Sequence, residues 1–116
     1  MALVIAHRTA AALAPENSLR GIEQAASCHA NWVEMDVRLS RDGELVLMHD
    51  ESLERTSSGS GPVGERSLEE LKGLHLRNRD GSLDQSSTVP TLQEAVTLAR
   101  ELGLGLVVEM KEEGLE

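Results

Sequence analysis

Trp32-Val33-Glu34-Met35-Asp36-Val37 reads as a β-strand, rich in strand-favouring side chains and bounded by polar sequence, yet it carries two carboxylates. Side chains alternate across a strand, so Glu34 and Asp36 point one way, about 7 Å apart along it, and Val33, Met35 and Val37 point the other. Two carboxylates on one face repel unless positive charge sits between them, and burying them unpaired costs several kcal/mol each. A bound divalent cation removes that cost; so would a hydrated strand edge or a salt-bridged pair.

Upstream, Leu3 to His7 is an apolar run of strand length, with Leu3, Ile5 and His7 on one face. Thr9 to Glu16 reads as a loop closed by Pro15. Asn17 or Ser18 then caps a helix with apolar positions at Leu19, Ile22, Ala25 or Ala26, and His29, running to about His29. Strand, loop, helix, strand is a βαβ unit, which points to a parallel sheet with a right-handed crossover as the default. Downstream, Asp42-Gly43 is a hairpin turn signal, and Glu44 to His49 returns as a strand. The Gly/Ser/Pro-rich stretch from Ser57 to Gly64 is expected to be a mobile loop. Ser67-Leu68-Glu69-Glu70 is a capping box that opens a short helix ending near Gly73, with Leu68, Leu71 and Leu74 as its stripe. Arg77 to Val89 reads as polar and irregular. Thr91-Leu92-Gln93-Glu94 opens a second capped helix, with Leu92, Ala95, Val96, Ala99 and Leu102 on its apolar face and Gly103 as its stop. Gly105 to Lys111 is a third strand of the parallel type, with Val107, Glu109 and Lys111 sharing a face.

Composition narrows the function classes. A chain of 116 residues with 40% hydrophobic content is one domain with a modest core. A formal charge of −9 argues against nucleic acid or an anionic membrane surface as partner, since both need a basic footprint. One Trp and no Phe or Tyr leave no platform for stacking bases. Cys28, the single cysteine, has no internal partner and reads as a small core side chain. The apolar run Met1-Ala2-Leu3-Val4-Ile5-Ala6 is too short for a signal peptide or a membrane span, so the expectation is a soluble, cytoplasmic protein without stable membrane insertion.

His7, Glu34, Asp36, Glu109 and Lys111 all fall at or near the C-terminal ends of the three expected parallel strands. In an open α/β sheet or a (β/α)8 barrel, that end is where ligands bind. Three carboxylates from two strands form a hard-oxygen site suited to Mg2+ or Ca2+ rather than zinc. His7 and His49 beside it suggest acid–base chemistry, and an anion bridged by the metal, best a phosphodiester, is the natural substrate. Arg8 and Lys111 supply fixed positive charge for the phosphate. His29 and His75 read as structural, on a helix face and beside Leu74 and Leu76.

The motifs His7-Arg8, Ala14-Pro15-Glu16-Asn17-Ser18, Glu34-Met35-Asp36-Val37, Asp42-Gly43, His49-Asp50 with Leu53 and Arg55-Thr56, Pro90-Thr91-Leu92 with Glu94, and Glu109-Met110-Lys111 occur in this order. Together they resemble the glycerophosphodiester phosphodiesterase family over essentially the whole chain. The resemblance implies the first three βα units of a (β/α)8 barrel with a β-hairpin after strand two, the chain being an N-terminal portion of that domain. It also implies a divalent metal, Mg2+ or Ca2+, on Glu34, Asp36 and Glu109. His7 and His49 would be the general acid and base, and Arg8 and Lys111 the phosphate contacts. The implied reaction is hydrolysis of glycerophosphodiesters to glycerol 3-phosphate and an alcohol.

Two departures stand out. The family usually has glycine where this chain has Thr9, and often a second where Ala12 stands, so Thr9 is expected to narrow the pocket or strain the loop. A whole barrel needs roughly 250 residues, so three strands leave it incomplete and imply a homo-oligomer or a C-terminal portion. A silent metal-binding fragment and a lysophospholipid or sphingolipid phosphodiesterase are the alternative functions.

Overall fold

A computed structural model describes residues 4–9 and 14–111. Leu3 and Ala12 lie outside the described residues. In chain order the elements are β1 (Ile5–Ala6), α1 (Leu19–Ser27), β2 (Trp32–Leu39), β3 (Leu45–Leu47), α2 (Leu68–Lys72), β4 (His75–Arg77), β5 (Leu83–Thr88), α3 (Leu92–Glu101) and β6 (Gly105–Met110).

Strand β2 is the axis of the molecule. It pairs in parallel with β1, Ile5 opposite Trp32, and in parallel with β6 from Trp32↔Gly105 to Val37↔Met110. Val37 is matched to Met110 on one side and to Leu47 of the antiparallel β3 on the other, so the hairpin takes over the edge of β2 that β1 leaves. Gly43 makes that hairpin turn with φ 81, and Ser40 closes it by donating to, and accepting from, the backbone around Glu44. These are the three parallel strands and the hairpin expected for the opening of a (β/α)8 barrel, and they form no closed barrel.

Alternation along β2 decides where the core lies. Val33, Met35 and Val37 are fully buried against Ile22 and Ala25 of α1 and Ala95 and Ala99 of α3. Each large side chain removed from water this way stabilises the fold by about 1.5–3 kcal/mol. A second apolar cluster, Val46, Met48, Leu53, Val63, Leu71, Leu76 and Val89, packs α2 and the β4–β5 pair beyond the hairpin. Both capping boxes form: Ser67 accepts from the Glu70 amide and Thr91 from the Glu94 amide, with each glutamate side chain returning to its cap.

Two helices end in the same way with different residues. After α3, Gly103 at φ 72 donates to the Arg100 carbonyl and Leu104 to that of Ala99, and Leu104 buries itself against the helix. After α1, His29 donates to the Ala26 carbonyl and Ala30 to that of Ala25, with His29 at φ 61 where glycine is the usual residue. His29 therefore lies past the helix and exposed, not on its face. Cys28 is the C-cap and is also exposed, which corrects its reading as a core side chain: the chain leaves the helix before that position can turn inward.

Further differences have local causes. Strand β1 ends at Ala6, because His7 to Thr9 turn into a 3-10 turn with Arg8 and Thr9 at φ 47 and 55. Ser57 to Gly64 is tied down rather than loose: Ser57 and Val63 are buried, and Ser58 and Val63 donate to the carbonyls of His75 and Glu51. Arg77 to Val89 contains an antiparallel pair, β4 with β5, in place of irregular chain. Strand β5, Leu-Asp-Gln-Ser-Ser-Thr, lacks an apolar alternation; Asp84 organises it by accepting from Ser86, Ser87 and Arg20. His75 opens β4 beside Leu74 and Leu76, as expected.

Replacing His29 with glycine removes the left-handed penalty of a side chain with Cβ, and the variant is expected to unfold about 1 kcal/mol later in a denaturant titration. Equal or lower stability would contradict the assignment. The hydroxyl of Ser40 depresses the Asp42 carboxyl, the Ser67 amide that of Glu70, and the Ser82 hydroxyl that of Asp80. Such groups bind protons more weakly folded than unfolded, so their stabilisation is complete above the ordinary values of 3.8 to 4.5 and is lost as pH falls through the lower folded values. A melting temperature flat from about pH 7 to 5 and falling below about pH 4 is expected; a flat profile to pH 3 would contradict it.

Candidate active site at the open end of the sheet

The face of β2 opposite the core carries Glu34 and Asp36. Register places Asp36 beside Glu109 of β6, and one oxygen each from Glu34, Asp36 and Glu109 lies within 4.8 Å of the others. Asp36 is buried, Glu34 partly so, and the Glu109 side chain is 56% exposed, so the cluster opens to solvent on the β6 side.

Cations and polar groups close around these carboxylates. Lys111 follows β6, donates its amide to the Val37 carbonyl, and sets its ammonium 2.9 Å from Glu109 Oε1 and 3.7 Å from Asp36 Oδ1. The hydrogen bond from Lys111, together with the charge of its ammonium, holds the Glu109 carboxyl below its ordinary range. The same bond pushes the Lys111 ammonium up. His7 Nε2 is 2.9 Å from Glu34 Oε2, and Arg8 Nε is 4.0 Å from Asp36 Oδ2. His49 follows β3; Arg38 donates twice to its carbonyl, at 3.0 and 2.8 Å, and its Nδ1 lies 2.8 Å from Asp50 Oδ1. The structure thus joins His7, Arg8, Glu34, Asp36, Glu109 and Lys111 in one set of contacts, with His49 beside them.

Asn17 was open to sequence reasoning only as a helix cap. That place belongs to Ser18, which accepts from the Gly21 amide. Asn17 sits at φ 53, donates Nδ2 to Asp36 Oδ2 and accepts the Asp36 amide on Oδ1, both at 3.0 Å. It fixes the most buried carboxylate of the cluster from the loop side. Asparagine is among the few residues that tolerate the left-handed region, and that was the available signal.

Thr9 occupies the expected glycine position in a left-handed conformation, so the strain is real. Its Oγ1 accepts from the Ser18 amide and donates to the Ser18 carbonyl, both at 3.0 Å, which offsets part of the strain. The turn also presses on α1: a Cβ on Gly21 would meet the Thr9 carbonyl oxygen at 1.9 Å, so only glycine fits there.

The donor set fits a hard divalent cation. Glu34 Oε1 is buried with no hydrogen-bond partner among the described residues, an acceptor whose burial is otherwise a cost. No helix among the described residues is long and apolar enough to cross a membrane.

Known proteins resemble the chain in sequence and in fold. The model of the glycerophosphoryl diester phosphodiesterase family matches residues 7–114. A putative glycerophosphodiester phosphodiesterase of Bacillus subtilis is 39% identical over 108 residues, covering 93% of this chain and 44% of that protein. A phosphodiesterase of Oleispira antarctica, solved in complex with the product sn-glycerol-3-phosphate, superposes with a TM-score of 0.86 at 39% identity, covering 99% of this chain and 47% of the other. A glycerophosphodiester phosphodiesterase from Agrobacterium tumefaciens gives a TM-score of 0.84 at 33% identity, over 95% and 47%. The chain spans less than half the length of these relatives. Carboxylates, histidines and cations gathered at the open end of three parallel strands, with a family model matching from His7 onward, show that the chain belongs to the glycerophosphoryl diester phosphodiesterase family.

Proposed function

We propose that this chain is the N-terminal portion of a barrel domain that hydrolyses glycerophosphodiesters to glycerol 3-phosphate and an alcohol. The observation that carries the reading is the three-carboxylate cluster with its unpartnered Glu34 oxygen, flanked by His7, His49, Arg8 and Lys111. Glu34, Asp36 and Glu109 would hold Mg2+ or Ca2+, which when bound supplies positive charge to offset that on the phosphoryl oxygens. Lys111 and Arg8 bring fixed positive charge to the same place and orient the phosphate. The imidazoles of His7 and His49 serve as the proton acceptor and donor pair. One takes the proton of the oxygen that attacks phosphorus, and the other protonates the alcohol oxygen as its bond to phosphorus breaks.

One observation favours activity in a larger assembly. The outer edges of β1 and β6 pair with no strand among the described residues, and Ile5 and Val107 on them are 51% and 43% exposed. A further barrel portion or a second copy of the chain would cover these edges.

Release of glycerol 3-phosphate from glycerophosphocholine, with and without Mg2+ or Ca2+ and across concentrations that bracket self-association, tests the reading. Turnover that needs metal and rises with assembly is expected; no turnover with metal still bound would leave an inert metal-binding fragment. In calorimetric titrations Glu34→Gln is expected to abolish metal binding and His49→Ala to spare it. Equal loss in both would contradict the roles.

A further inference from the structure

A chain of charge runs outward from His49 through residues that belong to neither the carboxylate cluster nor the phosphate contacts. Asp50 Oδ1 lies 2.8 Å from His49 Nδ1. Arg55 grips that carboxylate with two donors, Nε to Oδ2 at 2.8 Å and Nη2 to Oδ1 at 2.9 Å. Its other edge is gripped in turn by Glu16, which accepts from Nη1 at 2.7 Å and from Nη2 at 3.1 Å. Glu16 comes from the loop before α1, and its side chain is only 12% exposed. A second oxygen contact, 3.6 Å from Arg8 Nη1, anchors it further. Two edges of the Arg55 fork are thereby occupied, and the two-point grip on Asp50 fixes the orientation of its carboxylate.

We propose that Glu16, Arg55 and Asp50 are positioning residues that hold the His49 ring with the proton on Nδ1, so that Nε2 is the nitrogen that exchanges protons with substrate. The bond from Arg55 drives the Asp50 carboxyl well below its ordinary range, so it is ionised and can only accept. A neutral His49 with its proton on Nε2 would set a lone pair against that carboxylate; with the proton on Nδ1 it makes a charge-assisted bond. Arg38 holds the His49 carbonyl at the same time, so backbone and ring are fixed from different sides. Arg55 is half exposed while Glu16 and Asp50 are mostly covered, so the network is anchored on its protein side and turned toward the ring. The tautomer follows from this geometry alone; its catalytic use rests on the phosphodiesterase reading.

The experiment is nitrogen-15 NMR of the labelled chain, at a pH where the imidazoles are neutral. His49 is expected as the Nδ1–H tautomer, against the Nε2–H form that free imidazole side chains favour. In Asp50→Ala the ring is expected to revert to the free preference, and in Arg55→Gln to lie between the two. Nε2–H in the wild type would overturn the proposal, and so would Nδ1–H retained in a folded Asp50→Ala. The wild-type spectrum decides the tautomer even if a variant fails to fold. Where the wild type turns over, Asp50→Ala is expected to lower kcat about 100-fold with KM within about twofold. An unchanged kcat would overturn the positioning role. Absence of wild-type turnover would count against the phosphodiesterase reading of this chain and leave the tautomer to the spectrum.

Discussion

The structure depends on the alternation of β2. One side of the strand, Val33, Met35 and Val37, is fully buried against both long helices, and the other presents Glu34 and Asp36. A slip of one residue would exchange the two sets, placing two carboxylates in the core and three apolar side chains in the site. Hydrophobic burial therefore sets the register of the chemistry. The forces that seat α1 and α3 are the same ones that aim the carboxylates, so fold and site have one determinant.

Much of this was legible because it is periodic. The βαβ order, the Asp42-Gly43 hairpin, both capping boxes and the Gly103 stop are local patterns with local causes, and all are present. The polar residues at strand ends were legible too, since alternation alone places Glu34 with Asp36 and Glu109 with Lys111. What was not legible depends on partners far along the chain. Strand β5 is polar and lacks a strand's apolar pattern; its pairing with β4 and the Asp84 network make it a strand. The Ser57 to Gly64 segment reads as loose by composition, but Ser58 and Val63 are bonded to the distant carbonyls of His75 and Glu51, and Ser57 and Val63 are buried. Cys28 and His29 were misplaced because the helix ends about two residues before its apolar pattern does.

Backbone strain concentrates where the loop after β1 meets the site. Arg8, Thr9 and Asn17 all lie in the left-handed region without being glycine. Each is held by specific bonds: Thr9 by Ser18, Asn17 by Asp36 and by its own amide to the Arg8 carbonyl. Such conformations persist only where surrounding contacts over-determine them, and here those contacts end on a carboxylate of the cluster. The threonine in a glycine's place is thus accommodated by a partner the glycine would not need.

Lys111 has a consequence for how the molecule assembles. Its amide reaches Val37, and its ammonium spans Asp36 and Glu109, so the cluster closes only once the last described strand has docked beside β2. That docking is among the most distant pairings in sequence, and loop-closure entropy makes such contacts slow to form. A nascent or partly folded chain presents Glu34 and Asp36 without Glu109 or the lysine. The closed cluster accordingly exists only where β6 has docked on β2, and its integrity reports on that pairing.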